Sequence, residues 1–410
     1  MACGWRPLQK AGHKVEEKQR NNSGNDPVIS VIIPVHNAEK TLAAAVRSIL
    51  RQTARNVLPL EVILVDDGSD DACSRLCDAL AKEAGADAVR EQDPIGDGPA
   101  ADSLHCMPNG LPDGKENGSV QEENPSLQPV FFRVIHMRDE GVSEARNRGI
   151  SAASGRFLTF LDADDAMEPE MLECLYALHE RTGAQICGCG FLAVTPEEAA
   201  EYEKTAEYDK AVEYTKTADA NGTCRADEEP QIFTGTEIVK DAILLRDTRV
   251  WSKLFTREAI GDRRFRKGLT IGEDMLFVVS LVEESTRYAL VKEEKLYRYT
   301  VNPKGAMERP FTPSYMDQIR CWEEAGKLLE KNLPKVLRDP EAAARLGTLQ
   351  MVSDVLTASK IAKLPAKERE NYEDEFQFCR KKLALHRKIP GASAGLSWDY
   401  RIKAALLERL

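Results

Sequence analysis

The chain has 410 residues, 42% of them hydrophobic and 30% charged, the balance of a soluble globular protein with one large or two ordinary domains. Its formal charge of −11 gives no general basic footprint, so nucleic acid is not an expected partner. Ten cysteines without paired CxxC spacing read as buried reduced thiols in the cytoplasm, not as zinc ligands.

Residues 1–27 read as a polar tail that lacks the apolar core of a signal peptide, and no window approaches the roughly 18 apolar residues of a spanning helix. Val28 to Val35 then reads as a buried strand. The segment after it places Leu42, Val46, Ile49 and Leu50 on one helical face, with Asn37 as the expected N-cap. "LEVILVDD" is a second strand and leads into a helix with Ser69 as its expected cap. Strand, helix, strand, helix at this spacing predicts a mostly parallel sheet flanked by helices.

The pattern breaks from about residue 91 to 128, a stretch rich in Gly, Pro, Asn and Asp that is expected to be a surface insertion. Order resumes with "VFFRVIHM" as a strand, a helix capped by Ser143, the strand of "GRFLTFLDADD", a helix with Pro169 in its first turn, and a strand in "AQICGCGFLAV". A second insertion, about 196–230, holds three near-copies of a six-residue unit, "YEKTAE", "YDKAVE" and "YTKTAD". On a helix their tyrosines would point about 120° apart, so the repeat is expected to be a solvated spacer. Residues 301–410 read as helical. In the last stretch, "WDYRIKAALLERL", Ile402, Leu406, Leu407 and Leu410 share one side, expected to pack on its own domain, with peripheral membrane contact as the alternative.

Ligands of open α/β sheets sit beyond the carboxyl ends of the strands. Three of those ends carry unusual chemistry: Pro34-Val35-His36-Asn37, Asp66-Asp67-Gly68-Ser69 and Asp162-Ala163-Asp164-Asp165. Two carboxylates about 4 Å apart repel by roughly 4 kcal/mol at an effective dielectric near 20, so two acid clusters at neighbouring strand ends call for a counter-charge. Neither GxGxxG nor a Walker Gly-Lys-Ser/Thr follows the first strand. A divalent cation bridging carboxylates and ligand phosphates is the expected substitute. Taken singly, Asp66 and Asp67 fit a turn equally well, and Asp162 to Asp165 fit a helix entry.

"ISVIIPVHNAEKTLAAAVRSILRQT", "LEVILVDDGSDD", "EGVSEARNRGISAASGRFLTFLDADDAMEPEML" and "WSKLF…GEDMLF" occur in this order between about Val28 and Tyr299. Together they resemble the family 2 glycosyltransferases. The resemblance implies a GT-A catalytic domain over 28–300, with a helical region after it. It also implies an inverting transfer of sugar from a nucleotide diphosphate, a UDP-sugar first, to a glycan or lipid-linked hydroxyl. Asp67 matches the aspartate that binds the base, and Pro34, His36 and Asn37 lie against the same nucleoside, with Asp66 beside them. Asp162 and Asp164 match the DxD motif that holds Mn²⁺ or Mg²⁺ on the pyrophosphate and contacts the ribose, with Asp165 adjacent.

Glu273-Asp274 matches the ED motif, with Asp274 as general base. Arg146 and Asn147 are expected to support the donor site, and Trp251 and Lys253 fall on the acceptor side, where Trp251 fits a core position as well as a sugar-stacking one. Residues 303–307 depart from the family's Ser-rich basic segment, which leaves Lys304 and Arg298 without an assigned role. Polysaccharide assembly at the inner membrane face is the family's common setting. A nucleotidyltransferase is the alternative enzyme, disfavoured by the missing Gly-rich basic loop. A non-catalytic sugar-nucleotide-binding protein is the alternative outside enzymes, disfavoured because both acid motifs are present.

Overall fold

The computed structural model describes residues 26–83, 88–90, 105–107, 127–209, 229–245, 247–302 and 309–407. The N-terminal tail to residue 25, most of the first insertion, most of the second repeat copy and all of the third, Lys304 and Leu410 lie outside these. The strands are β1 (Ile29–Val35), β2 (Leu60–Asp67), β3 (Ala88–Arg90), β4 (His105–Met107), β5 (Val130–Met137), β6 (Phe157–Phe160), β7 (Ala166–Met167), β8 (Ile186–Val194), β9 (Gln231–Thr234), β10 (Lys253–Thr256) and β11 (Arg287–Thr300). The helices are α1 (Leu42–Leu50), α2 (Cys73–Glu83), α3 (Val142–Ala152), α4 (Met171–Thr182), α5 (Pro196–Asp209), α6 (Arg257–Ile260), α7 (Glu273–Ser280), α8 (Met316–Asn332), α9 (Pro340–Ala362), α10 (Ala366–Arg369), α11 (Glu373–His386) and α12 (Trp398–Leu407).

One sheet runs in the order β3-β5-β2-β1-β6-β10-β8-β11-β7, with β4 beside β5 and β9 beside β11. The half built on β5, β2, β1 and β6 is parallel, as the alternation of strand and helix predicts. The other half is mixed, because β10 inserts antiparallel between β6 and β8. Parallel register sets Val35 opposite Asp66 and Asp66 opposite His136, so the acid-bearing strand ends meet along one rim.

Strand β1 is fully buried apart from Pro34, and its side chains alternate between two cores. Val31, Ile33 and Val35 pack with α1, α2 and α4, whereas Ile32 faces α3, α7 and α8. Ala or any larger residue at Gly149 would put a Cβ 2.3 Å from Ile32 Cγ2. That glycine therefore lets α3 press onto β1 and carry Arg146, one turn earlier, over the strand ends. A third core joins α8, α9, α11 and α12. Cys73, Cys77, Cys187, Cys189, Cys321 and Cys379 are buried thiols. No helix among the described residues is long and apolar enough to cross a membrane.

The helix starts differ from those expected. Asn37 sits in the left-handed region at φ 51°, and α1 begins only after Thr41. The Asn37 side chain instead accepts from Asp70 N at 2.8 Å, tying β1 to the loop before α2. Asp71, not Ser69, receives the first amide of α2, from Cys73 N at 2.8 Å. Gly141 occupies the N-cap of α3, and Ser143 lies inside the helix. Helix α4 starts at Met171, two residues beyond Pro169. Tyr202, the first residue of the first repeat copy, does not stand in solvent as a spacer would. It lies in α5, where the Tyr202 hydroxyl donates to Glu168 at 2.8 Å and the Arg298 guanidinium stacks 3.6 Å from the Tyr202 ring centroid. Tyr202 thus packs on β11 and the loop before α4, a contact the repeat pattern does not encode.

Candidate active site

A cavity of about 850 Å³ opens on the rim, lined by residues that include Pro34, His36, Asn37, Asp67, Arg146, Asp162 and Asp164. Strand alternation separates the neighbours Asp66 and Asp67. Asp67 lines the cavity, and its Oδ1 accepts from Glu140 N at 2.8 Å. Burial pushes its pKa up, opposed by the backbone amides of Glu140 and Gly141. Asp66 points the other way and is 1% exposed. Its carboxylate accepts from Ser69 N at 3.2 Å, from the Ser74 hydroxyl, and pairs with His136 Nδ1 at 2.8 Å. Burial would raise its pKa, but these hydrogen bonds hold it at about 2. Asp66 thus braces the loop that carries Asp67. That loop turns at Gly68, where φ is 65° and a Cβ would stand 2.6 Å from Asp139 N.

His36 Nδ1 lies 2.8 Å from the carbonyl of Asp67. His36, Asp67 and Asp139 bring three ligand-type atoms within 4.8 Å of one another. The Asp139-Glu140 turn went unread in the sequence because its contribution comes from its backbone and its place beside Asp67. Lys40, Thr270, Asn302 and Arg309 also line the cavity. They come from loops far apart in the chain, with no local pattern to announce them.

The acids after β6 divide in the same way. Asp165 is 4% exposed, and its two oxygens accept from the Tyr297 hydroxyl and from Thr300 N, each at 2.7 Å. Both oxygens fix the loop on β11, and Asp165 does not line the cavity, which sets it apart from Asp162 and Asp164 as a metal ligand. Asp164 faces the cavity, and among the described residues no basic side chain pairs with it. Burial, with Asp162 nearby, raises its pKa to about 6. A half-buried carboxylate that faces the cavity beside a second one, with no basic side chain paired to it among the described residues, fits a divalent cation. Asp162 and Asp164 are the residues that would hold it.

Arg146, 3% exposed, joins the two acid motifs. Nη2 donates to Asp162 Oδ1 at 3.0 Å, while Nη1 donates to Asp274 Oδ1 at 2.7 Å and to Glu273 Oε1 at 3.1 Å. Gly272, at φ 91°, turns the chain into α7, so that both acids occupy its first turn. Burial pushes Asp274 up to about 7, against the lowering pull of Arg146, and Glu273 is raised for the same reason. Asn147 closes the arrangement: its amide exchanges hydrogen bonds with Phe265 N at 2.8 Å and Phe265 O at 2.9 Å.

Trp251 and Lys253 lie inside the protein and do not reach the cavity. Trp251 is 6% exposed and stacks on Tyr297 and Tyr299, with ring centroids 4.6 and 5.3 Å away. Lys253 is 1% exposed and its ammonium pairs with Asp247 at 2.5 Å. Trp251→Ala is expected to cost about 3–5 kcal/mol of stability, measured by urea unfolding. A sugar-stacking role would instead raise the acceptor KM with stability little changed.

The "Glycosyl transferase family 2" model matches residues 30–94 and 113–236. The chain is 28% identical over 300 residues to the uncharacterized glycosyltransferase EpsJ of Bacillus subtilis, covering 72% of this chain and 67% of EpsJ. It is 29% identical over 160 residues to GlyG of Streptococcus pneumoniae and 24% identical over 347 residues to GlyA of the same species. It spans only 37% and 40% of those two proteins. In structure it is similar to S. aureus TarS 1-349, with a TM-score of 0.56 at 14% identity over 93% of this chain and 89% of that one. TarS 1-349 in complex with UDP-GlcNAc gives 0.50, also at 14% identity, over 93% of this chain and 92% of that one.

The fold is that of a GT-A transferase, a mixed sheet flanked by helices with a helical C-terminal region. The chain belongs to glycosyltransferase family 2, and it is a glycosyltransferase.

Proposed function

We propose that the chain is a metal-dependent inverting glycosyltransferase that moves a sugar from a nucleotide diphosphate, a UDP-sugar first, to a hydroxyl of a glycan or lipid-linked acceptor. The observation that carries this reading is the Arg146 guanidinium, which holds Asp162 at the cavity wall and Asp274 at the head of α7. A donor acid and a base therefore meet across one side chain. The UDP-GlcNAc held by the structurally similar TarS supports a sugar nucleotide of this kind.

Asp67 accepts from an N–H of the base, with His36 and Pro34 against the nucleoside and Asn37 fixing their loop. Mn²⁺ or Mg²⁺ on Asp164 and Asp162 would neutralise the diphosphate as it leaves. Asp274 takes the proton of the acceptor hydroxyl while that oxygen attacks the anomeric carbon, and the nucleoside diphosphate departs from the opposite face. One displacement inverts the configuration. Glu273 shares Arg146 with Asp274 and positions it.

The test is a screen of UDP-, GDP- and dTDP-sugars for hydrolysis or transfer with added Mn²⁺. Turnover of one nucleotide class, abolished by a chelator, is expected; metal-independent turnover, or none with any class, contradicts the proposal.

A further inference from the structure

Helix α12 divides its apolar residues between two destinations. Ala404 and Leu407 are buried against the C-terminal core. Trp398, Ile402 and Leu406 are 76%, 45% and 54% exposed. At about 100° per residue these three fall within an arc of about 80°, with the exposed Arg401 and Lys403 on its two flanks. The side read from the sequence as self-packing is thus turned in part toward solvent. The helix rests on its domain through Ala404 and Leu407 and presents a second apolar face outward.

The charge of the C-terminal segment that carries this face opposes that of the rest of the chain. Residues 380–407 carry seven Lys and Arg and one acid, Asp399, in a protein of formal charge −11. Arg380 and Lys381 of α11 line a cavity of about 300 Å³ that Leu407 closes from the α12 side. Lys381, Arg387 and Lys388 are exposed, as is the apolar Leu385 among them (55%). An apolar strip led by a tryptophan and flanked by basic side chains is the form of a helix that lies in a membrane interface. There the rings and aliphatic chains enter the headgroup boundary while the long basic side chains reach the phosphates.

We propose that the exposed face of α12, with the basic end of α11, docks the enzyme on an anionic lipid surface. The charge complementarity selects a bilayer over an apolar protein partner, since an acidic protein approaching an anionic membrane needs a local basic patch of this kind. A membrane-seated enzyme would also meet a lipid-linked acceptor without leaving the surface, although the proposal stands whatever the acceptor is.

The test is flotation of the full chain with vesicles of phosphatidylcholine alone or mixed with phosphatidylglycerol, at low salt. Binding is expected only to the mixed vesicles and should weaken as salt is raised. Bromine-carrying acyl chains should quench an emission that Trp398→Phe lacks. The triple variant Trp398→Ala/Ile402→Ala/Leu406→Ala, which removes exposed side chains and should melt as the parent does, is expected to lose binding by about tenfold or more. Lys381→Gln/Lys388→Gln should lose the preference for anionic lipid. Equal binding to both vesicle types, or a triple variant that binds as the parent does, would overturn the proposal. So would a concentration-dependent dimer that the triple variant abolishes without any vesicle binding, because the face would then join two copies of the chain.

Discussion

Asp274→Asn should abolish transfer while leaving donor binding intact. A positioned general base contributes about 10²- to 10⁴-fold, and the amide cannot accept the proton. The substitution keeps the shape of the side chain, and Arg146 retains Asp162 and Glu273 as partners, so the donor cavity should survive. The pH profile gives a second reading. Burial holds Asp274 at about 7 against the pull of Arg146, and only the ionised carboxylate is a base. The value of kcat/KM should therefore rise as pH climbs through about 7 and level off above it. In the Asn variant that limb should vanish with the activity. Undiminished turnover, or the same limb in the variant, removes Asp274 from the role of base. Residues 273–274 lie beyond the stretch matched by the family model, so this assignment rests on the Arg146 geometry and the resemblance of the "GEDMLF" segment.

Arg146→Met should produce the largest loss of stability of any change in the site. It leaves Asp162, Glu273 and Asp274 facing one another without their shared cation, and breaking a buried ion pair from one side costs about 3–5 kcal/mol. Glu273 and Asp274 already have raised pKa values with the guanidinium in place, and its removal raises them further. A carboxyl whose folded pKa lies above its unfolded one contributes stability that is complete below the unfolded value, about 4. That contribution is lost as pH rises through the folded value. The deficit of the variant in urea unfolding should accordingly be small near pH 5 and grow as pH rises past about 7. Arg146→Lys, which keeps the charge but not the two-armed geometry, should recover only part of it. A loss below about 1 kcal/mol, or one independent of pH, would mean that the three acids are not held through Arg146.

The parallel half of the fold was legible because β1 and β2 are short apolar runs ending at turn residues, each followed by a helix with one apolar face. The mixed half was not, since β10 pairs with β6, almost a hundred residues earlier, and no local pattern encodes that choice. In the site, the acid-bearing strand ends were visible as clusters, but their members were not told apart. Adjacent strand residues point to opposite faces, and this separates Asp67 at the cavity from Asp66 in its Ser-His cradle. The loop after β6 does the same for Asp164 and Asp165, whose second partner, Thr300, lies 135 residues on. Trp251 and Lys253 read as acceptor-side because of the motif around them. Their partners Tyr297, Tyr299 and Asp247 sit outside that motif, and they make both residues part of the interior.

The central claim is that Asp67, Asp162 and Asp164 form one cation-dependent donor site, and a calorimetric titration with UDP tests it most directly. With Mn²⁺ present UDP should bind at least about tenfold more tightly than in its absence, a gain of about 1.4 kcal/mol, and Asp164→Ala should erase that gain without lowering the melting temperature. Equal affinity with and without metal, unchanged by Asp164→Ala, would contradict the account.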